Sequence, residues 1–329
     1  MDICIFFIIL ALIYINGLTD APNAIATLVG TKVMPFDKAR KMAAVCEVGG
    51  IIIMSFISIS VAENISSMID FSNPKLGLIG LGIGMLSTII YSGIACIFGI
   101  PTSESHGLIA GITGSAIAIG GIEAINFGEW ISVVIGLVWS IIGAVVFTSL
   151  IYLFFHKTIK NLKEKYQKKL QIISACGISF MHGAQDGLKF IGILVIYNSL
   201  ISGGKVPLYI DLKENIVVII ICAITMALGV LKGGKNIVKT VGENMTELNN
   251  ELALCSDFAT IITLMFASLI GMPVSTTHAK TLSILMVGKL GRVKSDGKTV
   301  GDIVKAWVMT FPICGGIAYV LMKIIMCFI

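Results

Sequence analysis

Charge is scarce in this sequence: acidic and basic residues make up 13% of its 329 residues, about half of the roughly 25% usual in soluble domains. That shortage excludes an ordinary water-exposed fold. Arginine is scarcer still, with only Arg40 and Arg292, and the basic residues fall between apolar runs, so the net charge of +5 is no nucleic-acid footprint. The eight cysteines (Cys4, Cys46, Cys96, Cys176, Cys222, Cys255, Cys314 and Cys327) include no CxxC pair and no metal-ligand spacing, which leaves them as packing residues in apolar segments. No stretch is long and polar enough for a separate soluble domain. The run from Met1 to Ile15 lacks the basic start and small-residue cleavage site of a signal peptide, so it reads as a first membrane span.

What is abundant is apolar sequence: 56% of the residues are hydrophobic and the mean hydropathy is +0.95. Apolar runs near the roughly 20 residues needed to cross a bilayer recur from end to end. Periodicity places spans near 3–33, 43–61, 76–98, 107–122, 130–155, 170–200, 216–231, 255–270, 279–290 and 302–328. The expected fold is therefore an all-α polytopic membrane protein of about ten segments. Two spans, 3–33 and 170–200, are too long for one straight helix and carry internal polar residues, whereas 107–122 and 279–290 are short. Broken or re-entrant helices fit that pattern.

With the N-terminus outside, 18 of the 24 basic residues fall on the inside, against Lys75, Lys205, Lys213 and Lys323 outside and Lys189 and Lys280 within the membrane. The positive-inside rule selects this orientation. It divides the chain into a first repeat at 1–155, a basic cytosolic linker at 156–169 and a second repeat at 170–329.

Two elements recur in the same order in both halves. Asn16-Gly17-Leu18-Thr19-Asp20-Ala21-Pro22-Asn23 aligns with His182-Gly183-Ala184-Gln185-Asp186-Gly187-Leu188-Lys189, and Gly99-Ile100-Pro101-Thr102-Ser103-Glu104-Ser105-His106 aligns with Gly271-Met272-Pro273-Val274-Ser275-Thr276-Thr277-His278. Five crossings per half would make the repeat an inverted one, which generates a midplane site that can open to either side in turn.

Asp20 and Asp186 lie in apolar sequence, where an unpartnered charge costs at least about 2.5–3.5 kcal/mol. A bound cation or a proton would remove that cost; pairing with a nearby helix end is the structural alternative. Thr19 or Asp20 can cap a half-helix whose first turn contains Pro22, and the break would leave backbone groups free for ions. The two proline segments read as loop-to-helix starts with clustered hydroxyls, and the unpaired N–H donors and positive dipole end of such a start suit a tetrahedral oxyanion. Hydroxyls in membrane helices also serve packing or bond back to helix carbonyls. Three of the four histidines, His106, His182 and His278, fall inside these elements. Glu104 is a proton or cation site, or a partner of Lys280.

These residues resemble the inorganic phosphate transporter family, whose signature segments read roughly GANDxANA and whose later segments read G-x-P-x-S-x-[ST]-H. Here they stand as NGLTDAPNA (16–24), HGAQDGLK (182–189), GIPTSESH (99–106) and GMPVSTTH (271–278), and the stretch from Gly233 to Gly242 is similar to a further family loop. The resemblance covers essentially the whole chain. It implies substrate contacts at Asn23, Ser103, Ser105, Ser275, Thr276 and Thr277, and a coupling set of Asp20, Asp186, Lys189 and Glu104. Asp20, Asn23 and Asp186 are the implied metal or cation ligands. Thr19 and Gln185 replace the motif asparagines, and Lys189 stands where Asn is common, which is similar to a low-affinity bacterial branch described as proton-coupled and able to carry metal-phosphate complexes.

The expected function is cation-coupled symport of inorganic phosphate, alone or as a metal complex, across the cytoplasmic (inner) membrane by alternating access. H+ or Na+ is the coupling ion, and no cofactor, nucleic acid or enzymatic activity is expected. Membrane lipid and a second copy of the chain are the other expected partners. A sulfate permease, an anion channel and a membrane hydrolase with an aspartate nucleophile stand as alternatives.

Overall fold

Long apolar runs become helices because, out of water, each backbone N–H and C=O must find its partner inside its own segment. The computed structural model describes residues 2–69, 71, 73–203, 207 and 209–329. Among these, regular structure is helical, with two isolated β-bridges, Ile69–Ile125 and Thr246–Ser295. The first half contains α1 (Asp2–Thr19), α2 (Pro22–Gly30), α3 (Phe36–Ile57), α4 (Ser60–Ser67), α5 (Pro74–Ile97), α6 (Glu104–Gly120) and α7 (Phe127–Lys160). The second contains α8 (Glu164–His182), α9 (Leu188–Ser202), α10 (Ile216–Lys232), α11 (Lys235–Lys239), α12 (Asn250–Leu269), α13 (Thr276–Leu290) and α14 (Gly297–Met326). Side-chain caps mark many starts: Asn73, Ser103, Asn126, Asn249, Ser275 and Asp296 each accept from a backbone N–H of the following turn.

The halves match element by element. Each opens on an interrupted helix, α1–α2 or α8–α9, and continues into a sharply bent pair: α3 and α4 meet at 82°, α10 and the α11 segment at 65°. Contacts recur when the halves are exchanged, with α1 on α10 as α8 on α3, and α6 on α14 as α13 on α7. The two interruptions differ. In the first, the chain turns at Asp20–Ala21 and restarts at Pro22; in the second, Gly183–Gly187 form a π turn inside a helix that otherwise continues.

Polarity is arranged for lipid. Along α7, Ile131, Val134, Ile135, Val138 and Ile142 form an exposed stripe at helical spacing, whereas the buried set includes Asp20, Glu47, Asp186, Lys189, Asp257 and Lys280. A water-soluble protein would place these the other way round. Among the described residues, six helical stretches are long and apolar enough to cross a membrane, or eight if each bent pair is one crossing. The other two of the ten expected segments are α13, only 15 residues long, and α8–α9, whose first turns carry Glu164, Lys165, Lys168 and Lys169. The linker 156–169 is mostly helical instead of an open loop: α7 runs to Lys160 and α8 starts at Glu164, with Gln167 Nε2 donating to the carbonyls of Ile159 and Leu162 at 3.0 and 3.1 Å. Lys168 pairs with Glu164 at 2.5 Å and holds that exposed carboxyl below its ordinary range. Lys205, one of the basic residues expected outside, lies outside the described residues.

A buried ion pair joins four helices away from the repeated motifs. Lys280 on α13 bonds Asp257 on α12 and reaches Thr27 Oγ1 on α2 at 3.1 Å, while Asp257 also accepts from Thr27 at 2.8 Å and from Ser174 of α8 at 2.7 Å. Lys280 thus pairs with Asp257, and the expected alternative of a Glu104–Lys280 pair does not occur. Removing one partner of such a pair strands the other charge at about 3–5 kcal/mol, whereas replacing both with apolar residues is far less costly. Lys280→Met should therefore lower the unfolding temperature of the detergent-solubilised protein sharply, and Lys280→Met with Asp257→Leu should recover most of the loss. A double variant no more stable than the worse single one would show that the pair is not the source of the effect.

Candidate functional site

Two helix starts meet at the centre. The segments Gly99–Ser103 and Gly271–Ser275 run in from opposite halves, and the prolines within them have no N–H to leave unpaired. Gly99 and Gly271 adopt φ +67° and +75°, a left-handed turn that ends α5 and α12 and that a Cβ would strain. Each segment then enters a helix through a serine cap: Ser103 Oγ accepts from His106 N at 3.4 Å and Ser275 Oγ from His278 N at 3.2 Å. The capping hydroxyls touch each other at 2.8 Å. Two N-terminal dipole ends and their hydroxyls thus converge on one spot, the arrangement that attracts an anion.

The interrupted helices bring carboxylates to the same place. Asp20 accepts from Thr277, from Asn23 Nδ2 at 3.0 Å and from Thr276 at 3.4 Å; Thr276 also lies 3.3 Å from Asp186 Oδ2. Asn23 Nδ2 bonds Thr277 Oγ1 at 3.2 Å, and Asn16 Nδ2 bonds Asp186 Oδ2 at 3.2 Å. Asn16 Oδ1 and Asn23 Oδ1 are left buried without partners, two neutral acceptors beside two acids. Thr19 and Asp20 do not cap α2, because Ala21 precedes Pro22 and the N–H groups of Asp20, Asn23 and Ala24 are all bonded within the chain. The Ala21 N–H, which makes no hydrogen bond, and the side-chain oxygens of Asn16 and Asn23 are among the groups left over at this break.

Lys189 fills a pocket of oxygens. Its Nζ bonds Asp186 Oδ1 at 2.7 Å, Ser105 Oγ at 2.6 Å and the carbonyl of Val274 at 2.5 Å, with 1% of the residue exposed. Carboxylate, hydroxyl and carbonyl oxygens are also the ligands a hard cation takes. Gln185, in place of the motif Asn, holds the second proline segment: it donates to Ser268 Oγ at 2.8 Å and accepts from Val274 N at 3.3 Å.

His182 stands between two acids. Nδ1 lies 3.1 Å from Glu47 Oε1 and Nε2 3.2 Å from Asp186 Oδ2, close ion-pair contacts that are not aligned hydrogen bonds. A neutral imidazole has one N–H, so facing acids on both sides requires an additional proton on the ring or on a carboxyl. Asp20, His182 and Asp186 each present a ligand atom within 4.8 Å of the others, a geometry that could hold a metal ion. His106 and His278 pack edge to face, 4.4 Å between ring centroids, against Phe311 and Trp307.

The structure thus gathers Asp20, Asn23, Ser103, Glu104, Ser105, Asp186, Lys189, Ser275, Thr276 and Thr277 into one buried cluster. Glu47 and Asn16 belong to it and were not anticipated. The signal for Glu47 was present, a lone acid inside the apolar span 43–61. It has no counterpart in the second half, so comparison of the repeats passed over it.

The sequence matches the phosphate transporter family over residues 16–169 and again over 156–318. It is 32% identical to a protein of Bacillus subtilis described as a probable low-affinity inorganic phosphate transporter, covering 99% of this chain and 100% of that one. A Rhizobium meliloti protein of the same description is 34% identical, over 91% of this chain and 89% of its own. Among solved structures, "The sodium-dependent phosphate transporter" superposes with a TM-score of 0.87 at 21% identity, covering 100% of this chain and 99% of the other, which establishes a shared fold.

Glu47 reaches His182 because α3 and α8 touch backbone to backbone. A Cβ on Gly183 would lie 2.3 Å from the Glu47 carbonyl oxygen, whereas one on Gly49 would meet only Phe180 Cδ2 at 3.9 Å. Gly183→Ala should cost about 1–3 kcal/mol through overpacking and show as a lower unfolding temperature, with Gly49→Ala close to wild type. Equal behaviour of the two variants would contradict this close approach.

Proposed function

The chain belongs to the phosphate transporter family, and on that premise we propose that it carries inorganic phosphate across the cytoplasmic membrane with a coupling cation by alternating access. Membership of a transporter family removes the hydrolase alternative. The observation that carries the reading is the meeting of the α6 and α13 starts at Ser103 and Ser275, within reach of the Asp20–Asp186–Lys189 group. Phosphate would displace the serine–serine contact and take donors from Ser103, Ser105, Ser275, Thr276, Thr277, Asn23 and the free N–H groups of the two first turns. Hydroxyl and amide donors turn either way, so the site can form around the anion and close on itself when empty.

Charge decides the need for coupling. Four buried carboxyls, Asp20, Glu47, Glu104 and Asp186, face two bases, Lys189 and His182, so with every group ionised the cluster carries more negative than positive charge. An anion cannot join it without protons or cations entering as well. Lys189 supplies a tethered positive charge at the second-half position, which leaves little room for a sodium ion there. Asp20 with Asn23 Oδ1 and Asn16 Oδ1 remains the first-half cation set, and with Asp186 and His182 it could also ligate the metal of a metal-phosphate cargo. Protons have their own route among Glu47, His182, Asp186 and Lys189, where Glu104 adds a further acid. In this reading repeats 1–155 and 170–329, joined by the cytosolic linker 156–169, are inserted in opposite senses with the N-terminus outside, and the site between them opens to each side in turn.

Uptake by proteoliposomes should respond more to an inward pH gradient than to an inward sodium gradient, and Lys189→Asn should shift the response toward sodium. Strict sodium dependence of the wild type would defeat the proton assignment, and an unchanged ion response in the variant would take Lys189 out of coupling. Asp20→Asn should abolish uptake while the protein remains stable in detergent; Asp186→Asn should abolish uptake too and, by stranding the Lys189 ammonium, lower the unfolding temperature. Ser105→Ala and Thr276→Val should each raise the half-saturating phosphate concentration roughly ten- to hundredfold, the loss of a hydrogen bond to a charged group of about 1.5–3 kcal/mol. Normal uptake by both aspartate variants, or normal saturation by both hydroxyl variants, would move the site elsewhere.

A further inference from the structure

Like Glu47, a second acid of the cluster has no equivalent in the other half. Glu104 is the first residue of α6, and the matching first residue of α13 is Thr276. Its Oε1 contacts the hydroxyl of Thr19, itself a departure from the motif asparagine, and its Oε2 is buried with no partner. Only 2% of the residue is exposed. The contact with Thr19, next to Asp20 in sequence, turns the carboxyl toward the α1–α2 break. It therefore stands on the inner side of the cluster, beside the capping serine Ser103.

The free oxygen is an acceptor when Glu104 is ionised, and also when its proton is engaged in the Thr19 contact. Thr19 has one hydroxyl proton, and the carbonyl of Ile15, 2.8 Å away, competes for it. If Glu104 is ionised, both of its oxygens accept; if it supplies the proton of the Thr19 contact, that proton sits on Oε1 and Oε2 is the carbonyl oxygen. A buried acceptor in an otherwise donor-rich anion site needs a ligand that brings a donor of its own. Inorganic phosphate near neutral pH retains at least one hydroxyl. Sulfate is fully ionised and has only acceptors to offer.

We infer that Glu104 is a specificity-determining residue that accepts a hydrogen bond from the hydroxyl of a protonated phosphate and thereby excludes sulfate and other fully ionised tetrahedral oxyanions. The inference rests on the phosphate-transport reading above and adds to it the protonation state of the anion that is bound. A sulfate in the same place would set an oxygen against Oε2 with no proton between them, and sites built to hydrogen-bond a ligand hydroxyl reject analogues lacking it by roughly 10^4- to 10^5-fold. A carboxyl that only carried the coupling proton would leave anion choice unchanged, which separates the two roles.

The test is competition for labelled phosphate uptake at one fixed pH in proteoliposomes, with sulfate and arsenate as competitors. Arsenate has the shape of phosphate and keeps a proton; sulfate has a similar shape without one. Wild type should be inhibited by arsenate and be indifferent to excess sulfate. Glu104→Gln can turn an amide N–H toward a bare oxygen, so sulfate should become a competitor and the phosphate-to-sulfate preference should fall at least a hundredfold, with the phosphate-to-arsenate preference unchanged. Glu104→Thr, which copies position 276, should move in the same direction. For a variant that no longer transports, the shift in unfolding temperature with phosphate and with sulfate in detergent reads the same preference. An unaltered preference in both variants, by uptake or by thermal shift, overturns the inference and leaves phosphate transport standing. Absence of phosphate uptake by the wild type would instead defeat the transport reading on which it rests.

Discussion

The ammonium of Lys189 is the contact on which the arrangement of the core depends. It is anchored to Asp186 one turn back on its own helix, then bonds Ser105 from the first proline segment and the Val274 carbonyl from the second. One charge therefore ties together both helix starts and an interrupted helix. Without a positive charge at that point, the carbonyl and hydroxyl dipoles would face Asp186 across an uncompensated low-dielectric gap. The convergence of Ser103 on Ser275 follows from the same arrangement, since both proline segments must lie close enough for one side chain to span them.

Buried charge is distributed in two groups with different character. Asp257 and Lys280 form a balanced pair with Thr27 and Ser174 filling the remaining bonds, which suits a fixed structural joint between α2, α8, α12 and α13. The central cluster is the opposite: excess acid, several unpaired oxygens on Asn16, Asn23 and Glu104, and a histidine facing acids on both sides. Completed networks rigidify a core, whereas incomplete ones are held ready for something else to bind. The contrast is one of completed against incomplete bonding, and it supports reading the central cluster as the site proposed above.

Much of this was legible in the chain itself. Helix content, the interrupted first and sixth spans and the pairing of the motif residues all follow from apolar length and from polar elements that occur twice. What could not be read were single residues outside the repeated elements. Glu47, Asp257 and their partners stand alone in their halves, and the partner of Lys280 was open until helices distant in sequence were brought together. Capping at the first interruption was misjudged because side-chain chemistry alone suggested Thr19 and Asp20, while the tertiary partners Glu104, Thr276 and Thr277 engage them instead. The form of the second interruption was equally hidden, for no proline or cap announces a π turn. Its glycines, Gly183 and Gly187, are explained by the close approach of α3, which a Cβ at either position would obstruct.

That π turn gives the second half a latitude in length that an unbroken α-helix lacks. A π turn accommodates one residue more than the α-helix around it, whereas within the α-helix each residue added or lost turns everything beyond it by about 100°. The surplus residue between His182 and Leu188 is absorbed locally, so the side chains of α9, Lys189 first among them, keep the faces that continuous helix would give them. Loss of one residue inside Gly183–Gly187 would close the bulge and spare the register of α9, while the same loss one turn further on would swing every later side chain around the axis.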